Sequence, residues 1–356
     1  MKILITGVCG FVGSTIAEEL ARSSSGYQLF GLDNLSRAGS EVNLPRVKKY
    51  GVRLFPGDVR NASDLESLPT VDWVVDAAAN PSVLAGITGQ VSSRQLIEHN
   101  LLGTINVLEY CKRSTGGLVL LSTSRVYSIA PLASAPMDVA NEAFVPRRHE
   151  INQPGWTEHG IREDFSTQPP LSLYGCSKLT SELLAQEYGA AFGLPVYINR
   201  CGVLAGAGQF GKPDQGIFSF WIHSYCGHRP LKYIGFGGHG HQVRDCLHPR
   251  DLVPLLHQQM QSSGRHAGQI INLGGGIASG ISLAQLSQWC LRRFGPHPVG
   301  SDSVDRPFDI PWIVLDSSRA EQLWGWRATT SLEQILDEIA EHALAHPEWL
   351  DLSSRP

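Results

Sequence analysis

The chain predicts a doubly wound α/β protein, a parallel sheet covered by helices on both faces, with a smaller C-terminal lobe. Three observations carry that prediction. Short apolar runs alternate with longer segments of helical period through the first half. A glycine-rich turn joins the first apolar run to the first helical segment. At 356 residues the chain has length for one large α/β unit and a second lobe, each able to bury a core.

The strands expected in chain order are residues 3–6, 29–33, 52–55, 71–77, 118–122 and 196–199. Each is a short run rich in Val, Ile, Leu or Phe, as a strand buried on both faces requires. Between them, residues 15–22, 62–67, 93–113 and 176–192 read as helices. Periodicity dissolves over residues 128–170, far longer than an ordinary connection, and this insertion is expected to form a lid or substrate wall. Past residue 200 glycine turns recur at 206–211, 235–240 and 274–276. Helices are expected there at 217–225, 282–294 and 332–345, with a short strand at 313–316. Residues 1–200 therefore form the first expected domain and 201–356 the second lobe, partly interleaved with it.

Bulk properties narrow the function. A net charge of -4 and a pI near 6.3 leave no electrostatic footprint for nucleic acid or an anionic membrane. No stretch approaches the roughly 18 consecutive apolar residues of a membrane span, and the opening Met1-Lys2-Ile3-Leu4-Ile5-Thr6 is too short an apolar run for a signal peptide. The seven cysteines are scattered, odd in number and without CxxC spacing, a reduced pattern that suits the cytoplasm. Small molecules are the expected partners.

Gly7-Val8-Cys9-Gly10-Phe11-Val12-Gly13 follows a strand and opens a helix. Glycines here permit a tight turn, close approach of a pyrophosphate to the backbone, and close packing of helix on sheet, with the helix N-terminus facing the phosphates. The unit is of Rossmann type. Asp33 ends the second strand, where a carboxylate accepts hydrogen bonds from ribose hydroxyls and repels a 2′-phosphate, so NAD is favoured over NADP. Arg37 lies near enough to oppose that preference. Asp58, in Gly57-Asp58-Val59 after the third strand, is placed to hold the adenine amino group.

Tyr174 and Lys178 lie one helical turn apart and share a face, so a phenol and an ammonium can point into one cleft. A phenol titrates near 10 in water, and bringing it to neutrality takes about 4 to 5 kcal/mol of differential stabilisation. The charges of a lysine and an oxidised nicotinamide can supply it. Thr123, at the tip of the strand before, can bridge to the same oxygen. His239 and His241 sit among glycines without companion ligands at a recognised spacing, so no metal is expected.

Taken together, Thr6-Gly7, Gly10-Phe11 and Gly13, Asp33-Asn34, Thr123 with Val126-Tyr127, and Tyr174 with Lys178 resemble the extended short-chain dehydrogenase/reductases, in their NAD-dependent sugar-nucleotide epimerase/dehydratase branch. The segment from Gln242 to Leu252 looks like that branch's VRDxxHxxD signature, and Asp305-Arg306, ahead of Trp324-Gly325-Trp326, like its second phosphate-binding arginine. Gly208-Gln209-Phe210 and Asp214-Gln215-Gly216 are most similar to the CDP-paratose 2-epimerases, also called tyvelose epimerases. Ser124-Arg125 departs from the Asn-Lys expected after the catalytic threonine.

The resemblance implies that Tyr174 is the base, that Lys178 lowers its pKa and holds the nicotinamide ribose, and that Thr123 hydrogen-bonds the reacting oxygen. It implies cofactor contacts at Gly7, Gly10, Phe11, Val12, Gly13, Asp33, Asn34, Asp58, Val59, Ala78 and Asn100. Substrate contacts are expected at Ser124, Arg200, Gln209, Phe210, Gln215, Arg244 and Arg306, the last two on the nucleotide diphosphate. A CDP-hexose is the expected substrate and a homodimer or homotetramer the expected assembly. UDP-sugar 4-epimerisation is the nearest alternative, and an NAD-binding sensor or scaffold the non-enzymatic one. Dehydration is disfavoured, because Ser124 and Arg125 stand where the dehydratases carry Asp-Glu.

Overall fold

The computed structural model describes residues 1–23, 26–87, 92–114 and 116–354. Seven parallel strands form the central sheet, in the order Ile270–Leu273, Val196–Cys201, Leu118–Thr123, Trp73–Asp76, Lys2–Thr6, Gln28–Asp33, Arg53–Pro56. Successive residues of one strand enter different cores: Ile3 and Ile5 bury in one cluster with Val75 and Val119, while Leu4 joins Val74, Leu118 and Leu120 in the other. That is the period-two alternation of a sheet covered on both faces.

The strand order reverses beside Lys2–Thr6, which pairs with Gln28–Asp33 on one side and Trp73–Asp76 on the other. Connections leave in opposite directions there, so a crevice opens beyond the strand ends. Thr6 braces its rim. Its hydroxyl donates to Asp76 Oδ1 at 2.5 Å and accepts from the N–H groups of Ala77 and Ala78.

Three departures from the sequence expectation bear on the sheet and the site. Ile270–Leu273, only four residues long and just ahead of a glycine turn, was not expected as a strand, yet it pairs with Val196–Cys201 and completes the sheet. The helix expected over 93–113 is instead Ser93–Ile97, a π-helical turn Glu98–Leu102, and Gly103–Ser114. The wider turn carries Asn100, whose amide donates to Asn80 O and Ser177 Oγ and accepts from Asn80 N–H.

The third departure is the insertion. Residues 128–170 fold into the helix Ile129–Ala133 and two hairpins, Met137–Ala140 with Ala143–Pro146 and Trp156–Thr157 with Gly160–Ile161. Their apolar residues Leu132, Ala143, Ile161 and Phe165 bury against Val243, Ile310 and Trp312. Trp156 stacks on Trp312 with ring centroids 5.7 Å apart. No residue of the segment lines the main cavity. It is a buttress rather than the lid or wall expected, because its apolar side chains find a partner surface that sequence periodicity does not reveal.

A smaller sheet of Val203–Leu204, Val243–Leu247, Gly280–Ser282 and Trp312–Ile313 carries the second lobe. The helices Ile217–Cys226, Leu283–Phe294 and Leu332–Ala345 pack on one another through Trp221, Leu286 and Ile339. Ser282 and Ser331 each begin a helix with a capping box, closed by Gln285 and Gln334. Among the described residues no helix is long and apolar enough to cross a membrane.

Candidate active site

A cavity of about 660 Å³ runs from the first glycine turn to the second lobe. Gly7, Gly10, Phe11, Val12 and Gly13 form one end of it, where the helix Phe11–Ser23 begins. Gly7 holds a φ of 64°, and a Cβ at Gly13 would run into the Gly7 carbonyl oxygen. The turn therefore presents bare backbone and a helix N-terminus to the cavity, which fits a dinucleotide pyrophosphate.

Next to it, Asp33 accepts from Cys9 N–H on Oδ2 and from Leu35 N–H on Oδ1, both at 2.8 Å. Burial raises its carboxyl, opposed by those two N–H bonds. A carboxylate offers about four acceptor positions, so room remains for ribose hydroxyls. Arg37 is turned away from this point. Its guanidinium donates to Phe210 O at 2.9 Å and to Gln215 Oε1, which ties the adenosine end to the segment carrying Gln209. Asp58 is engaged by Arg60 and by Asn34 Nδ2. Burial acts to raise its carboxyl, but hydrogen bonds from Arg60 and Asn34 outweigh it and hold the group well below the usual carboxylate range.

Tyr174 enters the cavity from the first turn of the helix Leu173–Phe192, which Ser172 caps by accepting from Gly175 N–H at 3.0 Å. Burial pushes its phenol up to about 12, against a hydrogen bond from Thr123 and the charge of Arg125, which pull it down. Lys178 is 3% exposed. Burial lowers its pKa, and the groups facing it are the carboxylates of Asp76 and Glu182 and the thiol of Cys201. Arg125, from a different element, is thus a cation that acts on the phenol.

At the second-lobe end, Arg244 pairs with Asp309 at 2.8 Å and Arg306 reaches toward Pro213 O at 3.5 Å. Gln209 donates to Leu204 O at 2.6 Å and leaves its Oε1 buried without a partner. The Phe210 ring stacks on Trp349 at 5.2 Å, and Trp349 Nε1 donates to Gln209 O. The C-terminal helix Trp349–Ser353 therefore holds the 209–210 segment in the cavity wall.

Of the residues expected from sequence, the structure gathers the glycine turn, Asp33, Asn34, Val59, Ala78, Ser124, Tyr174, Gln209, Phe210, Gln215, Arg244 and Arg306 around this one cavity. Thr123, Lys178, Asp58 and Asn100 are not part of its wall; Thr123 reaches it through Tyr174, and Asn100 braces the turn at Asn80. Arg200 is a correction. Its guanidinium is buried in a bidentate pair with Glu182, at 2.7 Å for the closest contact, and is shared with Tyr127 Oη. It holds helix to strand and does not reach the cavity. Sequence reading missed Arg37 as a bridge, Asp309 as the partner of Arg244, and Arg125 as a neighbour of the phenol. Arg125 left a signal, as the departure after Thr123, and Arg37 only as a charge near Asp33.

Fold and cavity define a doubly wound dinucleotide-binding protein with a tyrosine–lysine helix at the strand reversal. The model of the NAD dependent epimerase/dehydratase family matches residues 3–274, and the chain belongs to that family. It is 30% identical over 296 residues to the CDP-paratose 2-epimerase of Salmonella typhi, covering 80% of this chain and 82% of the relative. It is 27% identical to the UDP-glucuronate 4-epimerase of Thermodesulfobacterium geofontis, over 93% of this chain and 92% of that one. Among solved structures, the UDP-glucuronic acid 4-epimerase of Bacillus cereus, in complex with UDP-glucuronic acid and NAD, superposes with a TM-score of 0.78 at 23% identity, covering 97% of this chain and 99% of that one.

Proposed function

We propose that the protein is an NAD-dependent epimerase that inverts C2 of a CDP-hexose such as CDP-paratose, giving CDP-tyvelose. The observation that carries the reading is the meeting of the glycine turn, Tyr174 and the Arg244–Arg306 wall in one cavity. NAD fits the turn at residues 7–13 and the Asp33 carboxylate, with Arg37 engaged elsewhere. Held there, it would supply the hydride acceptor and donor that the sugar carbon needs.

Tyr174 takes the proton from the adjoining hydroxyl, and Thr123 holds the phenol oxygen in line for it. Lys178, buried one turn further along the same helix, would hold the nicotinamide ribose. Arg244 and Arg306 grip the diphosphate, so binding energy is spent on the part that does not react while the sugar turns over between the two transfers. Asp33 selects the unphosphorylated ribose.

The Salmonella typhi relative supports C2 and cytidine. The 4-epimerase relatives support a second reading, C4 of a UDP-sugar, since the same Thr, Tyr and Lys serve either carbon and the sugar pocket decides. Purified protein supplied with CDP- and UDP-hexoses, followed by NMR of the sugar protons, separates them. Inversion at C2 of a CDP-hexose is expected, with deuterium at that carbon retained. Inversion at C4 with C2 untouched would remove the C2 reading, and a protein that binds NAD but turns over no sugar nucleotide would be a sensor.

A further inference from the structure

Arg125 is a charged residue that the proposed reaction leaves without a task. It sits in the turn Ser124–Val126 directly after Thr123 and lines the cavity with Tyr174. The helix Leu173–Phe192 packs onto it so closely that a Cβ at Gly175 would run into the Arg125 carbonyl oxygen. Its guanidinium donates to Phe308 O at 3.3 Å. Phe308 holds a φ of 60°, a left-handed conformation that a bulky residue adopts only where its surroundings impose it. Among the described residues no carboxylate lies within ion-pair distance of Arg125, whereas its neighbour Arg244 has Asp309.

We propose that Arg125 is a positioning residue for Tyr174, its guanidinium adding from outside the tyrosine–lysine helix positive charge that eases loss of the phenol proton, so that the phenolate can take the sugar hydroxyl proton. The inference rests on the epimerase reading for its kinetic consequence. Its electrostatic part stands without substrate.

The charges around the pair favour this role. Tyr174 is faced by Thr123, Arg125 and Cys201, and it packs against the apolar Ala85, Leu96 and Val83. His99 lines the same cavity, its Nδ1 2.9 Å from Gln95 O. Lys178, on the helix of Tyr174, faces the carboxylates of Asp76 and Glu182, which raise its pKa against the larger effect of burial. Arg125 is itself lowered to about 10, by burial first and then by Arg244, with Asp309 and Tyr174 raising it and Arg306 lowering it further. A guanidinium at that value remains charged at neutral pH. Crowded by two other arginines, it gains when the phenol becomes an anion, and the phenolate gains equally.

The test compares wild type, Arg125→Gln, Arg125→Lys and Asp309→Asn, all loaded with NAD. Tyrosinate ultraviolet absorbance is titrated in each, with Tyr174→Phe subtracted to isolate the one phenol. Arg125→Gln is expected to move the Tyr174 step up by about one pH unit, and to move the acid limb of kcat by the same amount, about tenfold lower turnover on that limb. Arg125→Lys keeps the charge and is expected to restore most of the wild-type profile. Asp309→Asn removes the opposing anion and is expected to move the step down, which keeps the test decisive if the glutamine variant does not fold. An unmoved step in Arg125→Gln, or a loss confined to KM with the pH profile unchanged, overturns the proposal. Absence of turnover in wild type with the tyrosinate shift intact would sink the epimerase reading and leave the electrostatic role standing.

Discussion

Tyr174 shows how much of a catalytic residue a sequence can locate and how little of its chemistry. Its place on the first turn of a helix, one turn before Lys178, follows from spacing. Its environment does not, because burial raises the phenol to about 12 and the opposing charge comes from Arg125 in a different element. Tyr174→Phe is expected to lower kcat by roughly 10²- to 10⁴-fold, the range for removing a general base, while NAD content and melting temperature stay near wild type. Steady-state kinetics beside release of bound dinucleotide on denaturation check both halves, and near-normal kcat would refute the assigned base. The glycine turn and Asp33 were legible because their demands are local: a bare backbone and a carboxylate at a strand end. Arg37 was legible only as a charge near Asp33, since its partners Phe210 and Gln215 lie far along the chain.

At the scale of elements, the helix Leu173–Phe192 and the strand Val196–Cys201 are tied by the buried pair Glu182–Arg200. Glu182 also accepts from Ser122 Oγ on the neighbouring strand. An arginine ending a strand reads as a ligand from sequence, because the tip of such a strand faces the crevice. What redirects it is a carboxylate on the preceding helix, visible only once both are packed. Arg200→Met leaves Glu182 buried and unpaired, and is expected to cost about 3 to 5 kcal/mol in urea denaturation. The double variant Arg200→Met, Glu182→Leu is expected to recover most of that loss. A single variant as stable as wild type would mean the pair contributes nothing to the fold. The π-helical turn at Glu98–Leu102 is similar: helical period predicts a continuous helix, and contacts of Asn100 with Asn80 and Ser177 accompany the extra width.

Over the whole molecule, the central sheet is finished by Ile270–Leu273 from the second half of the chain, so the boundary expected at residue 200 cuts through a hydrogen-bonded assembly. Expressing residues 1–200 alone strips that strand from Val196–Cys201 and exposes a long apolar edge. Such a fragment is expected to aggregate or to unfold without a cooperative transition by circular dichroism. A sharp melt would show the first half to be an autonomous domain. The second lobe contributes Arg244, Arg306 and Gln209 to the cavity while the first contributes the glycine turn and Tyr174, and Arg37 joins them through Phe210 O and Gln215.

The sequence by itself determined the doubly wound sheet, the dinucleotide turn and the tyrosine–lysine helix, because each is a short-range pattern of apolar period, glycine placement or one-turn spacing. Tertiary structure alone decided that residues 128–170 buttress the second lobe, that Arg200 is an internal tie, and that Arg125 stands beside the phenol. Those outcomes depend on which buried charge or apolar face meets which partner across long stretches of chain, and the free energy of burying a charge is set by its surroundings rather than by its neighbours in sequence.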